Sequence, residues 1–402
     1  MTEQNKMPFP VEGTRNTGLS RRNFLRGVGA SGAAVAGAGL LGACGDDAET
    51  DSGGEVTDQS TIDNTLNVAN WTLYIDTKRV DDEKTYPTME AFESETGIDV
   101  NYEETINDNE SYFAKIQPSL QQGNDIGVDI VVLTDWMASN MINLEYLQKL
   151  DKTNIPNLEN IVPKLKAPLF DPNRDYSIPW QSGVTGIAYD AGQIGEVATI
   201  SDLLTNPELS GAITVLTEMR DTMGLIMLDQ GASPEDFTED DWNAALETLQ
   251  SAVDSGQVRQ FTGNNYAPLL EKGDLKACIA WSGDVIQLQF GNPDIKFVVP
   301  EAGAMLWSDN MLIPNKAQHK LNAELWMNYY YDPAVAAELA AWVNYICPVA
   351  GAQEEMEKID PKLAANPLIF PTEDDYAKLS IFRGLTDAES ATFTQQFQEL
   401  YT

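Results

Sequence analysis

The sequence predicts an α/β fold with two domains, and three observations support this. From residue 66 onward, segments typical of strands and of helices alternate, the order that builds mainly parallel sheets. Residues 128–134 (VDIVVLT) are largely apolar, as expected of a strand buried on both faces. The chain has 402 residues, 43% of them hydrophobic, a length that favours two domains over one.

Each element has a local signal. Helices are predicted at 85–97, 110–123, 240–254 and 318–331. Gly97 and Gly123 close the first two helices, because glycine favours the end of a helix. Strands are predicted at 66–71, 98–104, 128–134, 177–190, 212–217, 277–281 and 295–300.

The N-terminus has the order of an export signal. Paired arginines at 21–22 precede a weakly apolar run, which resembles a twin-arginine signal. Residues 41–44 (LGAC) resemble a bacterial lipobox, so we expect a signal over 1–43 and lipidation of Cys44. The alternative, a membrane-spanning dimerisation helix, needs about 20 apolar residues. Residues 44–65 are acidic and rich in Gly, Ser and Thr, as in a flexible tether.

This signal predicts export by the twin-arginine route and a lipid anchor at the periplasmic or cell-surface side of the membrane. Cys278 and Cys347 would then lie in an oxidising compartment, where a disulfide can form. Two unpaired buried thiols are the alternative, and the spacing does not decide between them.

Charge and composition exclude several function classes. The formal net charge is −37, with 62 acidic and 25 basic residues, so nucleic acids and anionic membrane surfaces would repel the chain. This balance fits a cationic ligand, and equally a protein kept soluble in a salty exterior. His319 is the single histidine, which excludes a His-based triad or a multi-His metal site. We expect His319 on the surface, and we expect no metal and no cofactor.

Several predicted strands end in an aromatic or acidic residue. In open α/β sheets, ligands bind beyond the carboxyl ends of the strands. These strand ends carry Trp71, Thr134-Asp135-Trp136, Thr217-Glu218 and Trp281.

Such residues suit an elongated organic cation, because carboxylates attract ammonium groups and aromatic faces pack on methylenes. Further candidates are Tyr74, Asp221, Asp284, Trp307, Asp309 and Tyr345. Each has a purely structural alternative. Glu218 and Asp221 could cap a helix, Asp309 could form a turn with Asn310, and the aromatic residues could belong to the core.

Several stretches along the mature chain together resemble the polyamine-binding proteins of bacterial ABC importers. They are NWTLYI (70–75), SYFAKIQPSLQQG (111–123), DIVVLTDW (129–136), FDPNRDYSIPWQSGVTGIAYD (170–190), LTEMRDTMG (216–224), IAWSGD (279–284), AMLWSDNMLIP (304–314) and NYICPVAG (344–351).

The resemblance implies a two-lobed periplasmic-binding-protein fold, type II-like, with two or more hinge crossovers and a ligand cleft between the lobes. Lobe 1 would comprise 66–181 and 308–354, and lobe 2 would comprise 182–307 and 355–402. The resemblance further implies a monomer that performs no chemistry. Such a protein would capture putrescine or spermidine and deliver it to the ABC permease of the inner membrane.

The resemblance also implies a set of ligand-binding positions. They are Trp71, Tyr74, Thr134, Trp136, Glu218, Asp221, Trp281, Trp307, Asp309, Tyr345 and Arg383. Trp281 and Trp307 would hold the methylene chain between them, and Asp309 would accept a terminal ammonium. Thr134 and Trp136 stand where the family has Ser and Tyr. Glu218 and Asp221 match an acidic pair in reversed order, and Tyr345 would form a wall near the far end.

One position departs from the family pattern. The family has Trp-Gln, with the Gln contacting an amine, where this chain has Phe382-Arg383. A guanidinium would repel an ammonium unless it turns away or pairs with an acid such as Asp135. Two alternative functions therefore stay open: the same fold binding a quaternary amine, an amino acid or another zwitterion, and an exported glycoside hydrolase using a carboxylate pair.

Overall fold

The computed structural model of the protein describes residues 57–80 and 83–402. These residues belong to one compact unit of the chain, Glu55–Thr402. The predicted export signal at 1–43 and the predicted lipidation site Cys44 lie outside the described residues.

Every predicted strand and helix is present, with ends shifted by a few residues at most. The strands are β1 Thr65–Trp71, β2 Lys78–Val80, β3 Glu83–Thr85, β4 Asp99–Ile106, β5 Ile130–Thr134, β6 Ser177–Asp190, β7 Ile213–Leu216, β8 Val258–Thr262, β9 Ala277–Trp281, β10 Ile295–Val298, β11 Ala304–Leu312 and β12 Leu379–Ser380. Gly97 ends the first helix in the left-handed conformation, with a φ of 72°, as a helix-closing glycine does.

The helices lie mostly between the strands. They are α1 Pro87–Thr96, α2 Asn109–Gln121, α3 Asp135–Asn143, α4 Ile200–Thr205, α5 Met219–Asp229, α6 Glu239–Asp254, α7 Tyr266–Glu271, α8 Ser282–Gly291, α9 Lys320–Tyr330, α10 Pro333–Val343, α11 Ala352–Ile359, α12 Pro361–Ala364, α13 Glu373–Tyr376 and α14 Asp387–Gln398. Short 3₁₀ turns lie at Lys152–Asn154, Pro156–Asn160, Pro163–Leu165 and Pro207–Leu209.

One large mixed sheet contains all strands except the β2–β3 hairpin. Its order is β4-β1-β5-β11-β6-β9-β7-β8, with β10 on β6 and β12 on β11. Parallel pairing joins β1 to β4 and β5, and β7 to β8 and β9. The central strands β6 and β11 run antiparallel to each other and to their neighbours β9 and β5. The prediction of mainly parallel sheets therefore holds for the outer strands and is wrong for the centre.

Strands β6 and β11 cross between the two lobes. At one end, β11 pairs with β5 through Asp309–Leu312, and at the other it pairs with β12 through Ala304 and Met305. Strand β6 pairs with β9 through Thr185–Tyr189, beyond Gln181, which is opposite the residue of β11 that pairs with the end of β5. Two crossing strands of opposite direction explain the antiparallel centre, because the chain leaves one lobe and later returns to it.

The buried side chains divide at these crossings. One core cluster draws on residues 184–306 and 379–400, with Ile346. The other two draw on residues 66–180 and 311–369, with Ile286 added from α8. Each lobe thus has its own core.

The exact lobe division stays a prediction. Met356, Ala364 and Ile369 pack in the cluster of the first lobe, although the predicted division at residue 354 gives them to the second. The chain passes to the second core only near Leu379.

The start of the described chain is attached to α9. Oδ2 of Asp58 accepts a hydrogen bond from the backbone N–H of Leu321 at 3.0 Å, and Oγ of Ser60 accepts one from Asn322 at 3.2 Å. These side chains satisfy N–H groups of the first helical turn, which have no partner within the helix. The described end of the predicted tether therefore belongs to the folded body.

The expectation of an exposed His319 is wrong. His319 is buried next to Asp129, whose Oδ1 accepts its backbone N–H at 3.0 Å and whose Oδ2 lies 3.0 Å from its ring Nδ1. It precedes α9, where the first helical turn packs against the start of β1.

Cys278 and Cys347 are buried free thiols. They belong to the cores of different lobes, which keeps them apart. Of the two alternatives, the structure has the unpaired thiols. Over residues 57–80 and 83–402, no helix has the length and apolar character that a bilayer crossing needs.

Candidate functional site

A cavity of about 540 Å³ lies between the two lobes, at the carboxyl ends of several strands. Strands β1, β5 and β9 end at Trp71, Thr134 and Trp281, which line it, and Glu218 follows β7. The structure brings all of the predicted ligand-binding positions to this cavity wall. Their role in binding stays a prediction. The strand-end rule accounts for Trp71, Thr134 and Trp281, whereas Asp309 reaches the wall from inside β11.

Asp309 is held inside β11 by hydroxyl groups from the first lobe. Its Oδ1 accepts a hydrogen bond from Oγ1 of Thr134 at 2.6 Å, and its Oδ2 accepts one from the Tyr74 hydroxyl at 2.8 Å. The residue is 4% exposed. Burial raises the pKa of Asp309 to about 7, even though both hydrogen bonds lower it. The alternative, a turn at Asp309 and Asn310, is wrong.

A break in strand register lies beside Asp309. Asp309 is opposite Gln181, but Asn310 is opposite Pro179, so Trp180 is the extra residue of a β-bulge. Bulges redirect neighbouring side chains and are frequent next to binding sites. A second register shift lies at Asn70 and Trp71, at the cavity end of β1.

Asp221 and Glu218 lie at the N-terminus of α5. Oδ2 of Asp221 accepts a hydrogen bond from Nε1 of Trp281 at 2.8 Å, and burial raises the pKa of Asp221 to about 6. Glu218 is the N-cap of α5, accepting the N–H of Arg220 at 3.5 Å. Burial raises the pKa of Glu218 to about 8, although Arg220 lowers it. Glu218 therefore caps α5, as the structural alternative predicts, and also lies on the cavity wall.

The aromatic residues form a continuous row along the cavity. Ring centroids lie 5.4 Å apart for Tyr74 and Tyr345, 5.5 Å for Tyr345 and Trp307, and 6.5 Å for Trp307 and Trp281. Tyr345 thus lies close to the Asp309 end, not at the far end as expected. Trp281 and Trp307 meet at an interplanar angle of 76°. The two rings therefore form a corner, and the expectation that they hold a methylene chain between them stays a prediction.

Two glycines make room for this aromatic row. An added Cβ at Gly183 would lie 2.2 Å from the Trp307 ring, and one at Gly283 would lie 2.5 Å from the Tyr345 ring. Both distances are below any van der Waals contact, so only glycine fits under these rings. Thr185, two residues after Gly183, accepts a hydrogen bond from Nε1 of Trp307 at 3.0 Å. Residues 183–187 (GVTGI) and 281–284 (WSGD) therefore support the rings of Trp307 and Tyr345.

Asp284 is a site residue whose role the sequence left open. Its carboxylate accepts hydrogen bonds from the hydroxyls of Tyr266 and Tyr345, both at 2.8 Å, and from Nδ2 of Asn264 at 3.0 Å. These bonds fix the orientation of Tyr345. Only the tertiary structure identifies the partners, because Tyr266 and Tyr345 lie far from Asp284 in sequence.

Asp135 and Arg383 do not pair with each other, so the hypothesis of such a pair is wrong. Asp135 accepts a hydrogen bond from Nδ2 of Asn310 at 2.7 Å. Arg383 pairs with Glu389, from Nη2 to Oε1 at 2.7 Å, and stacks on the Phe237 ring at 4.1 Å. Its guanidinium is therefore neutralised within its own lobe, while the residue still contributes to the cavity wall.

The two remaining tryptophans at the wall have different surroundings. Trp71 donates a hydrogen bond from Nε1 to the carbonyl of Val132 at 3.0 Å. The ring of Trp136 is covered by the guanidinium of Arg220, whose carbon lies 3.7 Å from the ring centroid.

The cavity as a whole combines aromatic faces with buried carboxylates, which suits an organic cation. In the described part of the chain, no group of three or more His, Cys, Asp or Glu residues could hold a metal ion.

Comparison with known proteins identifies the family. Residues 88–372 match the model of the family described as bacterial extracellular solute-binding protein. The chain is 27% identical over 338 residues to the spermidine/putrescine-binding periplasmic protein of Salmonella typhimurium, covering 84% of this chain and 91% of that protein. It is 27% identical over 335 residues to a putrescine-binding periplasmic protein of Escherichia coli, covering 78% of this chain and 85% of that protein.

Solved structures give the same result for the fold. A putative spermidine/putrescine ABC transporter protein from Listeria monocytogenes superposes with a TM-score of 0.73 and 28% identity, covering 84% of this chain and 98% of that chain. The family model spans well over half of the chain, and the cavity between two lobes has the position expected of a solute site. The chain belongs to the family of bacterial extracellular solute-binding proteins.

Proposed function

We propose that the protein binds a polyamine, putrescine or spermidine, in this cavity and delivers it to an ABC importer. The observation that carries the proposal is the carboxylate of Asp309, buried beside the Tyr74 and Tyr345 rings and held by two neutral hydroxyls. An ammonium about 4 Å from a carboxylate gains about 4 kcal/mol at an effective dielectric constant of about 20. An aromatic face adds about 0.5–2 kcal/mol.

The spacing of the acids supports a ligand with charged groups at both ends. Asp309 lies opposite Gln181 on β6. Trp281 lies opposite Thr185 on the same strand and donates a hydrogen bond to Asp221. These two positions on β6 are four residues apart, or about 13 Å of backbone, and the carboxylates are near enough that the charge of Asp221 raises the pKa of Asp309. The Trp307 ring lies between them, opposite Gly183. A chain of methylenes would pack on this ring while its ends approach the two carboxylates.

Binding and release would follow from hinge closure about β6 and β11, without any chemical step. Closure would remove water from the carboxylates and rings around the ligand. The names of the relatives, which specify spermidine or putrescine, support this choice of ligand.

Isothermal titration calorimetry of the ligand-free protein with putrescine and spermidine tests the proposal. We expect a dissociation constant in the micromolar range or tighter for at least one of them. Asp309→Asn should weaken binding by about 30-fold or more, because loss of one partner from a buried charge pair costs about 2–5 kcal/mol. Asp240→Asn, an exposed acid on α6, is the charge-matched control and should bind as the wild type. Unchanged binding by Asp309→Asn would refute the assignment.

The alternative ligands and the enzyme alternative need their own comparison. The shift in melting temperature is measured with choline, a quaternary amine, and with a series of amino acids. A larger shift with one of these than with putrescine and spermidine would favour the alternative ligand. Hydrolysis of a chromogenic glycoside would support the hydrolase alternative. We expect stabilisation by the polyamines and no hydrolysis.

We further propose that the mature protein is a monomer, anchored by a lipid on Cys44 after export through the twin-arginine route. The arginine pair at 21–22 and the LGAC stretch at 41–44 support this proposal. In a bacterial host, Cys44→Ser should move the protein from the membrane fraction to the soluble fraction. Retention of the variant in the membrane fraction would contradict anchoring through Cys44.

A further inference from the structure

Three arginines, Arg174, Arg220 and Arg383, lie at or near the cavity, and two of them have the contacts of structural residues. Arg174 donates hydrogen bonds to Ser177, to Asn310 and to the carbonyl of Leu165. Arg383 donates to the carbonyls of Phe237 and Gly384 and pairs with Glu389. Their guanidinium groups are fixed by directed hydrogen bonds, which is usual for an arginine that supports a fold.

Arg220 is held in a different way. The guanidinium carbon lies 3.7 Å from the centroid of the Trp136 ring, and Nη1 lies 3.8 Å from Oε1 of Glu218. Nη1 is buried and has no hydrogen-bond acceptor. The side chain is 9% exposed. An aromatic face and a nearby carboxylate, without a hydrogen-bond network, are the contacts with which such a cavity would hold a guest cation.

The acidic residues around Arg220 also favour a cation at this place. Arg220, Trp136 and Glu218 all line the cavity. Glu110, Glu218 and Asp221 each favour the charged form of Arg220, against its burial. One guanidinium thus faces several carboxylates, and these carboxylates would attract another cation if the guanidinium were removed.

We infer that Arg220 is a specificity-determining residue: its guanidinium fills the cation-binding place formed by Trp136 and Glu218, and so limits how many ammonium groups a ligand can bring. This inference rests on the proposed polyamine function. The places at Asp309 and Asp221 are left for the ligand. The contact also joins α3 of the first lobe to α5 of the second, so the same guanidinium bridges the two lobes.

The test compares ligands that differ by one ammonium group. Wild type, Arg220→Met and Arg220→Lys are titrated by calorimetry with putrescine, which has two amines, and with spermidine, which has three. In Arg220→Met, the ratio of the spermidine to the putrescine association constant should rise at least 10-fold over wild type. Arg220→Lys keeps a positive charge in this place and should stay within about threefold of the wild-type ratio. Methylguanidinium added to Arg220→Met should restore the wild-type ratio.

The outcomes separate this inference from the proposed function. An unchanged ratio in Arg220→Met, or an equal loss of affinity for both ligands, would overturn the inference and leave polyamine binding intact. Failure of the wild type to bind either ligand would overturn the proposed function itself. If Arg220→Met does not fold, as judged by circular dichroism, Trp136→Leu replaces it. That variant keeps the charge but removes the ring, and its ratio should rise in the same direction by a smaller factor. An unchanged ratio in Trp136→Leu would then overturn the inference.

Discussion

At the scale of single residues, the site depends on small groups that position large ones. Trp307 can lie against β6 only because Gly183 has no side chain there, and its Nε1 is fixed by Thr185. Tyr345 depends in the same way on Gly283 and on the carboxylate of Asp284. The rings on the cavity wall are therefore held in place by the small and polar residues that contact them.

The Gly183→Ala variant tests this dependence. The new methyl group would lie 2.2 Å from the Trp307 ring and must displace it. Such overpacking costs about 1–3 kcal/mol, and we expect polyamine affinity to fall about 10-fold or more in calorimetric titrations. Gly195→Ala is the matched control, since no atom lies within 4 Å of a Cβ at that position. Binding by Gly183→Ala at wild-type strength would show that the position of Trp307 is unimportant.

At the scale of elements, the start of α14 supplies the carboxylate that pairs with Arg383. Glu389 is the third residue of this helix and forms a capping box with Thr386. The same carboxylate pairs with Arg383 at 2.7 Å. These hydrogen bonds lower the pKa of Glu389 to about 2. Because the pKa is lower in the folded state, the stabilisation is complete above about pH 4 and is lost as the pH falls towards 2.

The Glu389→Gln variant should therefore weaken ligand binding from a distance. Glutamine can keep the capping box, but Arg383 would lose its partner and its positive charge would act on the cavity. We expect a loss of up to about 1 kcal/mol of stability, read from urea unfolding, and a severalfold weaker affinity for polyamines.

Asp375→Asn provides a matched control for Glu389→Gln. Asp375 forms the same kind of capping box with Thr372 in α13, and it has no arginine partner in the described contacts. It should lower stability without changing affinity. An equal affinity for Glu389→Gln and wild type would indicate that Arg383 does not act on the ligand.

At the scale of the whole molecule, the cavity between the lobes buries acids whose ionisation opposes folding. Burial raises the pKa of Asp309 to about 7, of Asp221 to about 6 and of Glu218 to about 8. In an unfolded chain such groups have a pKa of about 4. Between about pH 4 and pH 8 the folded protein thus binds more protons than the unfolded chain, so these groups lower the free energy of unfolding as the pH rises.

A bound cation should reverse this pH dependence, because it favours the ionised carboxylates. We expect polyamine affinity to increase from pH 5.5 to pH 8, with protons released on binding. Calorimetry in two buffers of different ionisation enthalpy measures the number of protons. Thermal melts of the ligand-free protein should show a melting temperature that falls over the same range. An affinity independent of pH would show that these acids do not meet the ligand.

Local patterns of the sequence determined the elements and the strand-end residues of this protein. The apolar run at 128–134 identifies a strand, and Gly97 identifies the end of a helix. Both signals are local, because each depends only on residues that are neighbours in the sequence. The rule that ligands bind beyond strand ends then placed Trp71, Thr134 and Trp281 on one cavity. The resemblance added Asp309 and Tyr345, which lie on the same wall.

Tertiary structure alone decided how these residues face one another. The antiparallel centre of the sheet, the corner between Trp281 and Trp307 and the pairing of Arg383 with Glu389 all depend on contacts between distant parts of the chain or on a ring orientation. The stacking of Arg220 on Trp136 joins residues from different lobes. No local pattern encodes such contacts, because they exist only after β6 and β11 bring the two lobes together.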